Sequence, residues 1–267
     1  MAQVFLFMLV GGMAGVLAAA PLELMAWRYL RNVGMIGLAL AAGTVAWTVR
    51  SGDWPADPAG AGSVAFGAVS VLSFAAWVVR AGPRARAGWL KWVSGLAAIG
   101  ALGAALAQMT TAGWLAHPRA APLAMTLGSA LLGAAVLGAV TTAWLLGHAY
   151  LTATRMTIAP LAHLSRVLFI AAIVRALGLL FAGIVLLTWG RDAYPTASYR
   201  LEQNWLVGSL RAGLGGVALP VFAYMVADCV KRRATQAATG ILYFASVFAY
   251  ISELCGLYLI REVGWPL

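Results

Sequence analysis

Charged side chains are scarce in this chain. Asp, Glu, Lys and Arg make up 10% of the 267 residues, where soluble domains carry roughly 25%. Apolar residues make up 63%, and the mean hydropathy is +0.88. A water-facing surface cannot be covered with such a composition. That excludes an ordinary soluble enzyme, a disordered chain and a nucleic-acid-binding domain. Cysteine is limited to Cys229 and Cys255, too few for an iron–sulfur cluster or a Cys-type zinc site. The two sit in successive apolar segments at depths about 25 Å apart along a helix, whereas a disulfide needs Cα atoms within about 7 Å. No Cys-x-x-Cys-His run offers covalent haem attachment. Histidine occurs three times, as His117, His148 and His163. A nucleophile elbow, a Walker sequence, a paired Asp-rich motif for prenyl diphosphates and a histidine-rich desaturase pattern are all missing from the sequence. Self-contained catalysis by these chemistries has no support.

Long apolar runs are what the chain does have. Eight of them, at roughly 3–25, 33–49, 63–80, 92–112, 122–147, 162–188, 206–229 and 239–260, have the length expected of transmembrane helices. In lipid a backbone must satisfy its own polar groups, so the expected fold is all-α: one polytopic bundle of about eight helices over residues 1–267. The first run ends in small residues at Ala18–Ala20 like a signal peptide but lacks a basic start, and it reads as a retained span. Trp27, Trp47, Trp77, Trp89, Trp92, Trp114, Trp144, Trp189 and Trp205 lie near span ends, as an interfacial aromatic belt requires. Gly128, Gly133, Ala134 and Gly138 in the fifth span, and Gly213, Gly215 and Gly216 in the seventh, are candidates for close helix packing. Pro220 is expected to kink the seventh.

The basic residues give an orientation. Eleven fall on one face, among them Arg28, Arg31, Arg80, Arg84, Lys91, Arg155, Arg166 and Lys231 to Arg233, with only Glu23 and Asp228 for acids. The other face carries Arg50, Arg119, Arg191, Arg200 and Arg261, with Asp53, Asp57, Asp192, Glu202 and Glu262. Positive residues favour the cytoplasmic side, so both termini are expected outside, in a bacterial cytoplasmic (inner) membrane. The positive charge then reflects topology and attraction to anionic membrane lipids, and no nucleic acid partner is expected.

Three charges fall inside spans. Arg175 and Glu253 are each about 20 Å deep from the basic face, and Arg211 reaches the same level from the opposite side. Tyr243, Ser246, Tyr250 and Glu253 form a polar stripe; Ala171, Arg175, Gly178 and Ala182 share a face suited to a tight interface. The layer reads either as a structural Arg175–Glu253 pair or as a site for a polar headgroup or coupled proton, with one positive charge in excess. Arg211 could instead snorkel outward. A second constellation is a hairpin: His148 and Tyr150 at the end of the fifth span, His163 and Arg166 at the start of the sixth, with Asp228 nearby at the end of the seventh. Histidine is the natural proton exchanger near neutral pH. These residues suit hydrogen bonding to headgroups, a quinone site fed with protons by Asp228, or a single b-type haem held by His148 and His163. With His117 on the other face, two haems are excluded, and no cluster suits a metal ion.

The run Ser252-Glu253-Leu254-Cys255-Gly256-Leu257-Tyr258, in a chain of eight spans, resembles the membrane-anchor subunits of molybdopterin-type respiratory reductases, the dimethyl sulfoxide reductase anchor in particular. The chain departs from that pattern in lacking an arginine directly after Gly256 and a His-Leu-Gly-x-Pro run, so only Glu253 carries over by position. The resemblance implies an anchor for partner subunits that binds quinol and passes electrons onward. The expectation is therefore an integral subunit of a bacterial respiratory or electron-transfer complex, not catalytic alone. A small-solute or ion transporter built on Arg175 and Glu253, and a purely structural subunit, are the alternatives.

Overall fold

The computed structural model describes residues 1–51, 58–83, 85–111, 114, 123–152 and 156–267. His117, Arg84, Arg119, Arg155, Asp53 and Asp57 lie outside the described residues, as do the side chains of Arg191 and Asp192. The described residues form helices and no strand. Eight helical stretches are long and apolar enough to cross a membrane. Seven are α1 (Ala2–Ala19), α2 (Trp27–Arg50), α3 (Pro58–Arg80), α4 (Ala87–Thr111), α5 (Leu123–Thr152), α6 (Ala159–Ala193) and α10 (Thr235–Glu262). The eighth is composite: α8 (Trp205–Arg211), a π-helical stretch (Ala212–Ala218) and α9 (Leu219–Lys231). A short helix not anticipated from the sequence, α7 (Pro195–Gln203), precedes it.

Chain order and packing coincide. Helices α1 to α4 pack on one another, as do α5, α6, α9 and α10, and the two groups join along α1 and α5. That seam is deeply buried. Phe7, Met13 and Leu17 of α1, and Val136, Leu137, Val140 and Leu146 of α5, are fully buried. The first apolar run is thus the central strut of its half. Closeness at the seam requires glycine, because a Cβ on Gly138 would run into the Gly12 backbone, and one on Gly12 into Ala134. Gly128 of the same helix has open space around it, as does Gly213. Not every small residue in these runs is a packing residue.

The outside of the bundle is as apolar as its inside. Leu72, Val79, Ile99, Leu187, Val217 and Phe244 are all exposed. In water such a surface would associate, whereas it is compatible with lipid contact. Trp27, Trp47, Trp89, Trp92, Trp189 and Trp205 are exposed near helix ends. Trp77 and Trp114 are not belt residues. Trp77 is fully buried against Gly34 of α2 and donates its indole N–H to the Leu30 carbonyl at 2.7 Å. Trp144 is half-buried, with its ring edge-on to Tyr243.

Pro220 acts through the turn before it. Proline lacks an N–H and crowds the carbonyl four residues back. Upstream of it the helix widens into a π turn, in which Leu219 N–H bonds to Leu214, five residues back. After α10, Gly264 takes a left-handed conformation (φ 77°) and turns the chain back. Trp265 is then buried and donates to the Ala182 carbonyl of α6 at 3.1 Å.

Adding one methyl group at the seam is expected to force α1 off α5. Gly138→Ala should lower stability by roughly 1–3 kcal/mol, while Gly128→Ala on the same helix should leave it unchanged or slightly raised. Thermal unfolding of the two variants in detergent checks this.

Candidate functional site

Arg175, Arg211 and Glu253 meet in one node. Arg175 comes from the middle of α6, Arg211 ends α8 where the π turn begins, and Glu253 sits on α10. All three are buried, at 2%, 1% and 2% exposure. Arg175 grips the carboxylate with two parallel bonds, Nε to Oε1 and Nη2 to Oε2, both 3.0 Å. Arg211 grips it from its other side, Nη1 to Oε1 at 2.9 Å and Nη2 to Oε2 at 3.1 Å. An ionised carboxylate has about four acceptor positions, and all four are filled. A protonated one would point a hydrogen at a guanidinium. The arrangement therefore fits a carboxylate anion held by paired bidentate contacts, the strong form of such bonds.

Of the six remaining guanidinium N–H groups, three are used. Arg175 Nη1 donates to Ser129 Oγ on α5 at 3.0 Å. Arg211 Nη1 also donates to Ser252 Oγ at 2.8 Å, and its Nε to the main-chain oxygen of Leu267 at 3.0 Å. Four helical segments and the C-terminal turn are thus tied to one carboxylate. Room for the groups comes from glycines. A Cβ on Gly133 would strike the Glu253 carboxylate, one on Gly215 the Ser252 hydroxyl, and one on Gly256 would lie 3.0 Å from the Arg211 guanidinium carbon. Arg211 does not snorkel outward, because its charge is satisfied inside the bundle. Tyr250, one turn from Glu253, stands apart from the node and shares a hydrogen bond with Thr141 Oγ1 at 2.8 Å.

The side chains of the node carry two positive charges against one negative, and it is flanked by clefts. The larger, about 460 Å³, runs between α6 and the α8–π stretch. Leu177, Leu180, Ile184, Leu187 and Val217 contribute apolar walls, and Arg211 is its one charged lining residue. A smaller cleft of about 270 Å³ lies beside Arg175 and Ser129.

The histidine hairpin residues are not gathered in the same way. His148 is exposed, and its Nδ1 shares a hydrogen bond with Tyr243 of α10 at 3.1 Å. Tyr150 donates to the Thr157 carbonyl of the intervening turn. His163 is half-buried on α6. Asp228 accepts from Arg232, one turn along, at 2.8 Å. Arg166 is exposed and lines a separate cleft with Lys231 and Arg233. Among the described residues, no group of three His, Cys, Asp or Glu side chains could hold a metal ion.

Ser129, Ser252, the Leu267 oxygen and the glycines around the carboxylate are parts of the node that counting charges does not reveal. Serine is too common in apolar helices to signal a partner, and the Leu267 contact depends on a turn beyond the last helix. Compared with known protein families, curated proteins and solved structures, the chain matches none.

The charge imbalance gives an asymmetric expectation. Glu253→Gln leaves two buried guanidiniums facing each other and should cost about 3–5 kcal/mol. Arg175→Met leaves a one-to-one Arg211–Glu253 pair and should cost clearly less. Unfolding midpoints of the two variants in the same detergent compare them directly; equal losses would contradict the anion-centred node.

Proposed function

We propose that the protein spans a bacterial cytoplasmic membrane eight times, with the basic end inside and both termini outside. On this reading it is an integral subunit of a respiratory or other electron-transfer complex that anchors partner subunits and binds a quinone. The cleft beside Arg211 is the observation that carries the reading. A quinone couples carbonyl acceptors on a ring to a long apolar tail. The cleft pairs one guanidinium with apolar walls on the flank of the bundle, where a tail can continue into lipid. One of the two N–H groups on Arg211 Nη2 is left over after Glu253 is served.

The same chemistry limits the role. Arginine keeps its proton at any physiological pH, and the Glu253 carboxylate has no free acceptor position. The cleft can bind and orient a headgroup but supplies no proton. Redox turnover then belongs to partner subunits, in line with a chain that carries no catalytic motif of its own. A transporter is the second reading. It is favoured by the π-helical stretch that starts directly after Arg211 and offers a hinge beside the node.

Gly216 separates these readings. It lines the cleft, and the only neighbour within 4 Å of an added Cβ is Leu179 Cδ1 at 3.9 Å, so Gly216→Leu introduces bulk into the cleft from a position with room for its first carbon. Protein purified from its native membrane should retain about one quinone per chain, and the variant about tenfold less, a loss of about 1.4 kcal/mol in binding. Equal quinone in both would contradict the proposal. Solute flux in proteoliposomes, with no quinone retained, would favour the transporter.

A further inference from the structure

A third cleft, of about 400 Å³, opens at the basic end of the bundle between the start of α6 and the end of α9. Its floor is apolar, with Ile158, Phe169 and Val230, and its rim carries Arg166, Lys231 and Arg233. Among the described residues, none of these three cations forms an ion pair. The two acids that the sequence places at this end are engaged by other cations: Asp228 by Arg232 at 2.8 Å, and Glu23 by Lys91 at 3.6 Å.

The backbone adds an independent observation. Arg233 is the one described non-glycine residue with positive φ, at 59°. It occupies the left-handed position of a helix-ending turn, in which Arg233 N–H bonds to Val230 at 3.0 Å and Ala234 N–H to Cys229 at 2.9 Å. Glycine is the usual residue there, because a side chain is disfavoured in that conformation. The turn alone would be better served by glycine. What arginine adds is a guanidinium on the rim of the cleft.

We propose that this cleft binds an anionic phospholipid, with the phosphate among Arg166, Lys231 and Arg233 and an acyl chain along Ile158 and Phe169. Basic pockets between membrane helices on the cytoplasmic side suit such headgroups, and a phospholipid combines the phosphate with an apolar chain that the floor accommodates. The inference shares with the quinone reading the premise that the bundle lies in a membrane with its basic end inside; the two clefts have no lining residue in common.

Native mass spectrometry of the full chain in detergent tests it, with phosphatidylglycerol and phosphatidylcholine of matched acyl chains as probes. Phosphatidylglycerol should be retained in preference, and Arg166→Gln, Lys231→Gln and Arg233→Gly should each lower its retention about fivefold. Arg233→Gly also relieves the backbone, so its thermal midpoint should equal or exceed that of the parent while lipid is lost. A purely structural arginine would move both readouts down together. The proposal is overturned if phosphatidylcholine binds equally well, or if the variants keep their lipid. It is equally overturned if inorganic phosphate displaces phosphatidylglycerol at concentrations equal to the lipid's own, which would mark a soluble-anion site.

Discussion

Glu253 accepts four hydrogen bonds from two guanidiniums inside a helical bundle, and the second half of the molecule is organised by that fact. Burying an isolated carboxylate is very costly, as is burying an isolated arginine. The three charges are tolerable only together, and only if the helices that carry them keep their positions. α6 brings Arg175, α8 brings Arg211, α10 brings Glu253 and Ser252, and α5 brings Ser129. The C-terminal turn closes the ring through Leu267, and Trp265 anchors that turn on α6. Apolar packing alone would let helices slide or rotate at little cost. A paired bidentate contact fixes both depth and rotation.

The first half is held differently. It has no buried ion pair among its described residues, and it relies on apolar fit. Gly34 and Gly37 of α2 make room for Trp77 and Phe74 of α3, and Gly12 of α1 receives Gly138 of α5. One half is therefore defined by close backbone approach and the other by charge, with α1 and α5 as the shared wall. Both clefts that the functional proposals rest on lie in the charge-defined half, where the π turn and the excess positive charge leave space and unmatched donors.

Much of this can be read in the sequence, for definite reasons. Helix number and placement follow from run length, because a membrane-sized apolar run has few other uses. The common depth of Arg175, Arg211 and Glu253 follows from residue counting, since a helix rises 1.5 Å per residue whatever its neighbours. Rotation and partner choice are not encoded so simply. Tyr250 shares a stripe with Glu253, yet it turns to Thr141. Trp77 lies near a helix end like the belt tryptophans, yet it is buried, because Gly34 on the neighbouring helix provides a slot. The histidine hairpin looked like one constellation along the chain, yet His148 looks across to Tyr243 on α10. In each case the deciding neighbour lies far away in sequence. The short helix α7 was hidden for another reason: it is too polar and too brief to register as an apolar run.

The account stands or falls on the state of the Glu253 carboxylate, and infrared difference spectroscopy reads that state directly. Spectra of the parent protein and of a preparation with isotope-labelled glutamate, each compared with Glu253→Gln, isolate this one group. An anion clasped by two guanidiniums predicts that the substitution removes a carboxylate stretching band at neutral pH. Loss of a protonated-acid carbonyl band instead would show that the node is not built on an anion, and would contradict the account.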